Sequence, residues 1–122
     1  MRKLLIVDDE KEVLIFLKMF FQAKGFDVDT AESGEEAIRK VKEEQPQVVL
    51  LDILMPGMSG LEALKIIREI DPKVGVIMAT VIQEEDTAKR AIELGAYDYV
   101  TKPFDINYLE MTVLVKLSRS IC

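Results

Sequence analysis

The segment Val48-Val49-Leu50-Leu51-Asp52-Ile53-Leu54-Met55-Pro56-Gly57-Met58-Ser59-Gly60 constrains the fold of this chain more than any other. Four consecutive apolar residues end in a carboxylate, and a Met-Pro-Gly turn follows at once. A strand covered on both faces reads as such a continuous run, so the pattern predicts a central strand with Asp52 where the chain leaves the core. A carboxylate in that place has two readings. It caps the loop, or it stands at the C-terminal edge of a parallel sheet, where open α/β folds place their chemistry.

Three further segments bear on the choice. Leu4-Leu5-Ile6-Val7-Asp8-Asp9-Glu10 repeats the design, an apolar run ending in two adjacent aspartates. One of the two suits the N-cap of the helix that follows, which leaves the other unexplained. Carboxylates gathered at one sheet edge repel one another and raise each other's pKa unless a cation neutralises them. An oxygen-only set with one or two carboxylates suits Mg²⁺. Val76-Ile77-Met78-Ala79-Thr80 and Tyr99-Val100-Thr101-Lys102-Pro103-Phe104 end in a hydroxyl and an ammonium. Acid, acid, hydroxyl and amine together can bind Mg²⁺, attack a phosphoryl group and hold its oxygens.

Strand and helix patterns alternate five times. Strands are expected near Lys3–Val7, Asp27–Ala31, Val48–Leu51, Val74–Ala79 and Tyr97–Val100, and helices near Lys11–Lys24, Glu35–Glu44, Leu61–Ile70, Glu84–Leu94 and Ile106–Ser120. Val13, Leu17, Phe20 and Phe21 recur at helical spacing, as do Leu61, Leu64, Ile67 and Ile70, giving two core faces. Such alternation implies one α/β domain over residues 1–122, a doubly wound (βα)5 unit. Its parallel five-stranded sheet would take the flavodoxin-like order 2-1-3-4-5. The first and third strands are then neighbours, and Asp8, Asp9 and Asp52 converge.

Composition excludes several function classes. With 122 residues and 49% apolar content the chain is long and apolar enough for one core. A net charge of −6 and a pI near 4.7 oppose direct nucleic-acid binding. No apolar run approaches a membrane span of roughly 18–20 residues. The start at Met1-Arg2-Lys3-Leu4 leads straight into a strand and leaves no room for a signal peptide. The lone cysteine, Cys122, excludes an internal disulfide and fits a reducing cytoplasm. No histidine is present, so phosphohistidine, a Ser-His-Asp triad and an imidazole zinc site are all excluded.

With Asp8-Asp9, Asp52-x-x-Met55-Pro56-x-x-x-Gly60, Thr80, Gly95-Ala96-x-Asp98-Tyr99 and Lys102-Pro103-Phe104 in order and spacing, essentially the whole chain resembles the receiver domains of bacterial two-component response regulators. The resemblance implies that Asp52 is the phosphoacceptor. It implies that Asp8, Asp9, Asp52 and the backbone carbonyl of Leu54 hold Mg²⁺ (or Mn²⁺), and that Thr80 and Lys102 bind the phosphoryl oxygens. Tyr99 would be the switch aromatic, and Lys102-Pro103 a cis turn. The phosphoryl group would come from a sensor histidine kinase or a histidine phosphotransfer protein. The rival is an aspartate-nucleophile phosphohydrolase, but that chemistry needs an acid two residues after the nucleophile, where Asp52 has Leu54.

Three details are particular to this chain. Val81 follows Thr80 where receivers usually carry a small residue, and Leu54 and Ile82 are apolar where many carry polar groups; slow access and a long-lived phosphoryl group are expected. The fourth helix offers only Ala88, Ala91 and Ile92 as inward residues, so little apolar area anchors it. The fifth has an inner stripe, Ile106, Leu109, Val113 and Leu117. A second stripe, Tyr108, Met111, Val115 and Cys122, falls at a/d-like spacing on the opposite side. That outer stripe is expected to be a partner face, for a homodimer through the fourth helix, fifth strand and fifth helix or for another protein. The last helix lacks a Gly or Pro stop, as expected of a helix continuing in a longer protein.

Overall fold

The computed structural model describes residues 2–121, with side chains through residue 118. Strands β1 (Lys3–Val7), β2 (Asp27–Ala31), β3 (Val48–Leu51), β4 (Gly75–Thr80) and β5 (Asp98–Thr101) alternate with five helices. These are α1 (Lys11–Ala23), α2 (Gly34–Glu44), α3 (Gly60–Ile70), α4 (Glu85–Glu93) and α5 (Ile106–Ile121). All strand pairs are parallel, in the order β2-β1-β3-β4-β5. The expected architecture is therefore present, with β4 and β5 each displaced one residue toward the C-terminus so that Thr80 and Thr101 close their strands.

Alternation along each strand splits the core in two. Leu5, Val7, Val49, Leu51, Val76 and Met78 face Ala37, Val41, Leu64, Ile67 and Ala91, so α2, α3 and α4 cover one side. Leu4, Ile6, Val48, Leu50, Ile77 and Val100 face Leu14, Leu17, Phe21, Leu109, Val113 and Leu117, so α1 and α5 cover the other. On α1 the inner face is Leu14, Leu17 and Phe21, with Val13 and Phe20 only partly buried. On α3, Leu64 and Ile67 are fully buried and Leu61 and Ile70 partly so.

Two expectations about the later helices have different outcomes. Ala91 is the buried residue of α4, but Ile92 is exposed, not inward. One residue further along a helix turns the side chain by about 100°, and Ala91 already defines the inner line. The inner stripe of α5 holds, and Tyr108, Met111 and Val115 are exposed opposite it. Cys122 lies outside the described residues. Among those residues no helix is long and apolar enough to cross a membrane.

The turn after β3 is tightly constrained. Ser59 caps α3 by accepting the Glu62 N–H at 3.3 Å, and the Gly60 N–H donates to the Ile53 carbonyl at 2.9 Å. A Cβ at position 60 would lie 2.0 Å from the Asp52 carbonyl oxygen and 2.6 Å from Ile53 Cα. The contact is with backbone and cannot be relieved by a rotamer change. Gly60→Ala should therefore lower the urea midpoint at unchanged m-value, by about 1–3 kcal/mol or more.

Candidate functional site

Strand register assembles the site. Val7 pairs with Leu51, so Asp8 and Asp52 leave neighbouring strands side by side, and the Asp52 N–H donates to the Val7 carbonyl at 3.1 Å. Thr80 pairs with Thr101, and the Lys102 N–H donates to the Thr80 carbonyl at 2.8 Å. The Lys102-Pro103 bond is cis. Lys102 Nζ bridges Asp8 Oδ2 at 2.5 Å and Asp52 Oδ2 at 3.0 Å, with Glu10 Oε1 at 3.6 Å. Each aspartate spends its other oxygen locally: Asp8 Oδ1 accepts the Glu10 N–H at 2.9 Å, and Asp52 Oδ1 accepts the Leu54 N–H at 3.2 Å. Asp52 thus caps the loop with one oxygen and meets Lys102 with the other. Neither Asp8 nor Asp9 is the N-cap of α1, which is Glu10, without a side-chain cap bond.

The electrostatics follow from burial. Asp8 and Asp52 are 3% and 4% exposed. Burial raises the pKa of Asp8 above the ordinary carboxylate range, and the Lys102 hydrogen bond only partly offsets this. Burial alone would lower the Lys102 value, but its hydrogen bonds to Asp8 and Asp52 reverse the sign and raise it. Partners in one ion pair thus shift the same way: for Asp8 desolvation outweighs the lysine, whereas for Lys102 the carboxylates together outweigh desolvation.

The expected residues fall into two groups. Asp8, Asp52 and Lys102 are in direct contact. Thr80 is fully buried, with its hydroxyl accepting the Ile82 N–H at 3.4 Å, and no hydrogen bond joins it to Asp52 among the described residues. Tyr99, half-buried, donates its hydroxyl to the Ile82 carbonyl at 2.7 Å. Its pKa is raised by burial and by the charges of Glu84 and Asp52. Leu54 and Val81 are exposed apolar side chains. The carboxylate oxygens that lie within 4.8 Å of one another belong to Asp8, Glu10 and Asp52, whereas Asp9 is exposed and outside this group. Sequence spacing does not single out Glu10, and its place after two aspartates at a strand end is the available signal. This all-oxygen donor set, two members of it buried, fits Mg²⁺ or Mn²⁺.

Residues 4–114 match the family of response regulator receiver domains. The chain belongs to that family. This receiver domain is 37% identical over 119 residues to the alkaline phosphatase synthesis transcriptional regulatory protein PhoP of Bacillus subtilis, covering 98% of this chain and 50% of that protein. It is 41% identical over 111 residues to the regulatory protein AtoC of Escherichia coli, covering 91% of this chain and 24% of that protein. The chain therefore spans half or less of the length of these curated relatives. Among solved structures, a CheY-like receiver domain of Methanospirillum hungatei superposes with a TM-score of 0.95 at 28% identity, over 98% of this chain and 96% of that one. The CheX–CheY–BeF₃–Mg complex of Borrelia burgdorferi gives 0.88 at 35% identity, over 93% and 87%.

The raised Asp8 value has a consequence for the receiver domain's stability. A folded pKa above the unfolded one means that ionised Asp8 costs stability. The cost is absent below the ordinary carboxylate range, grows as pH rises through the folded value and persists at neutral pH. In metal-free buffer Asp8→Asn should gain in melting temperature relative to the native domain as pH rises toward 7. A gap that narrows over that interval would contradict the assignment.

Proposed function

We propose that this receiver domain is the phosphoacceptor of a two-component phosphorelay and takes its phosphoryl group on Asp52 from a histidine kinase or histidine phosphotransfer protein. The observation that carries this reading is the Lys102 bridge. It holds the carboxylate at the end of the central strand beside a second carboxylate, at the sheet edge to which the fold delivers every other group. An Asp52 oxygen bonds to phosphorus as the phosphorus–nitrogen bond of the donor histidine breaks, and the bonding pair stays on the departing imidazole nitrogen. Transfer of this kind is mostly positioning and charge compensation. Asp8, Asp9, Asp52 and the Leu54 carbonyl would hold Mg²⁺ or Mn²⁺, with Glu10 beside them. When bound, the ion supplies positive charge that offsets carboxylate repulsion and draws density from the phosphoryl oxygens. Lys102 supplies a point charge to those oxygens and Thr80 a hydroxyl donor.

Ile82 supports a switching role. Its N–H binds the Thr80 hydroxyl and its carbonyl binds the Tyr99 hydroxyl, at 3.4 and 2.7 Å. If Thr80 turns toward a phosphoryl group, Ile82 is released at one end and Tyr99 at the other. The affected surface is α4, β5 and α5, where Tyr108, Met111 and Val115 form the partner face for a second copy or an output protein. Exposed Ile15, Phe16 and Met19 on α1, the helix that starts beside the site, offer a second apolar surface. The domain acts as a cytoplasmic switch and not as a turnover enzyme, and it binds neither nucleic acid nor membrane itself.

Acetyl phosphate with Mg²⁺ should add one phosphoryl mass to the native domain and none to Asp52→Asn. Full labelling of the Asn variant would overturn the assignment. In the same assay Val81→Ala should gain or lose phosphate a few-fold faster, or about 1 kcal/mol in barrier.

A further inference from the structure

Glu10 makes and breaks no bond in the transfer chemistry above, yet its carboxylate stands at the site. An oxygen of Glu10 lies within 4.8 Å of oxygens of both Asp8 and Asp52, and 3.6 Å from Lys102 Nζ. Glu10 is the N-cap residue of α1, but its side chain makes no cap bond. Asp8 and Asp52 are buried and hold Lys102 at 2.5 and 3.0 Å, whereas the Glu10 side chain is 64% exposed and holds it more loosely. Lys102 therefore compensates the two inner carboxylates first. The charge of Glu10 is the least neutralised of the three and faces the water through which ligands arrive.

The two small species that enter this site have opposite charge. A divalent cation is attracted by an uncompensated carboxylate at the mouth, and a dianionic phosphoryl donor is repelled by it. We propose that Glu10 is a specificity-determining residue that favours loading of the divalent cation and disfavours small, freely diffusing anionic phosphodonors. The inference rests on the phosphoacceptor reading. It leaves the bond-making groups as described and assigns Glu10 a role in selecting what reaches them. A protein-borne donor brings contact energy of its own and is less sensitive to one exposed charge than a small anion is. Because Glu10 is exposed, the effect is modest and screened by salt.

The test combines two measurements on the native domain, Glu10→Gln and Glu10→Lys. Mg²⁺ affinity is read from NMR titration without a donor, and the acetyl phosphate rate is read at saturating Mg²⁺. Glu10→Gln should weaken Mg²⁺ binding about two- to five-fold and speed phosphorylation by a similar factor, the scale of an exposed charge. Glu10→Lys should go further in both directions, and added KCl should shrink both effects. Opposite-signed changes are the signature, since a merely structural role would impair both properties together. Parallel losses in both variants, or no change in either measurement, would overturn the proposal while native phosphorylation stands. A native domain that neither binds Mg²⁺ nor takes phosphate would overturn the phosphoacceptor reading and this inference with it.

Discussion

Lys102 stands between two buried aspartates that the parallel register of β1 and β3 forces together. Without that ammonium, two carboxylates would face each other at the sheet edge with little water to screen them. A buried ion pair is rarely a net source of stability, because desolvation consumes most of the Coulombic gain. Here the compensation is incomplete, and the raised pKa of Asp8 records the shortfall. The sheet edge thus keeps partly compensated negative charge at a cost in stability. The rest of the fold supports that arrangement: two apolar layers fix the strands, and Gly60 lets α3 start against the backbone of Asp52.

Much of this was legible in the sequence because period and punctuation agree. The run Val48–Leu51 is buried at every position, as a central strand of a parallel sheet must be. Asp8, Asp52 and Lys102 follow strand ends, so strand order alone brings them to one edge. The less legible parts depend on rotamers and on which way a side chain turns after the strand has ended. Asp8, Asp9 and Glu10 are three consecutive acids, and their spacing does not say which face the pocket. The structure buries Asp8, brings an oxygen of the exposed Glu10 to the same cluster and leaves Asp9 outside it. Ile92 is outward for a related reason: on a short helix with a single buried Ala91, apolar character alone does not define the inner face.

Ile82 joins the Thr80 and Tyr99 hydroxyls through two hydrogen bonds from its backbone, and sequence patterns cannot show such a link. Its neighbourhood also contains the most lightly anchored helix, α4, with one buried residue. A segment held by little apolar area is the kind that shifts at low free-energy cost.

The central claim is that Lys102 occupies, in the resting domain, the electrostatic place that a divalent cation and a phosphoryl group later share. Melting temperature measured against Mg²⁺ concentration for Lys102→Met tests it most directly. In metal-free buffer the variant should melt below the native domain, because the buried carboxylates lose their counter-charge. Added Mg²⁺ should then raise its melting temperature by more than it raises that of the native domain, since no ammonium has to be displaced. A variant as stable as the native domain without Mg²⁺, or one that gains less from it, would contradict the claim.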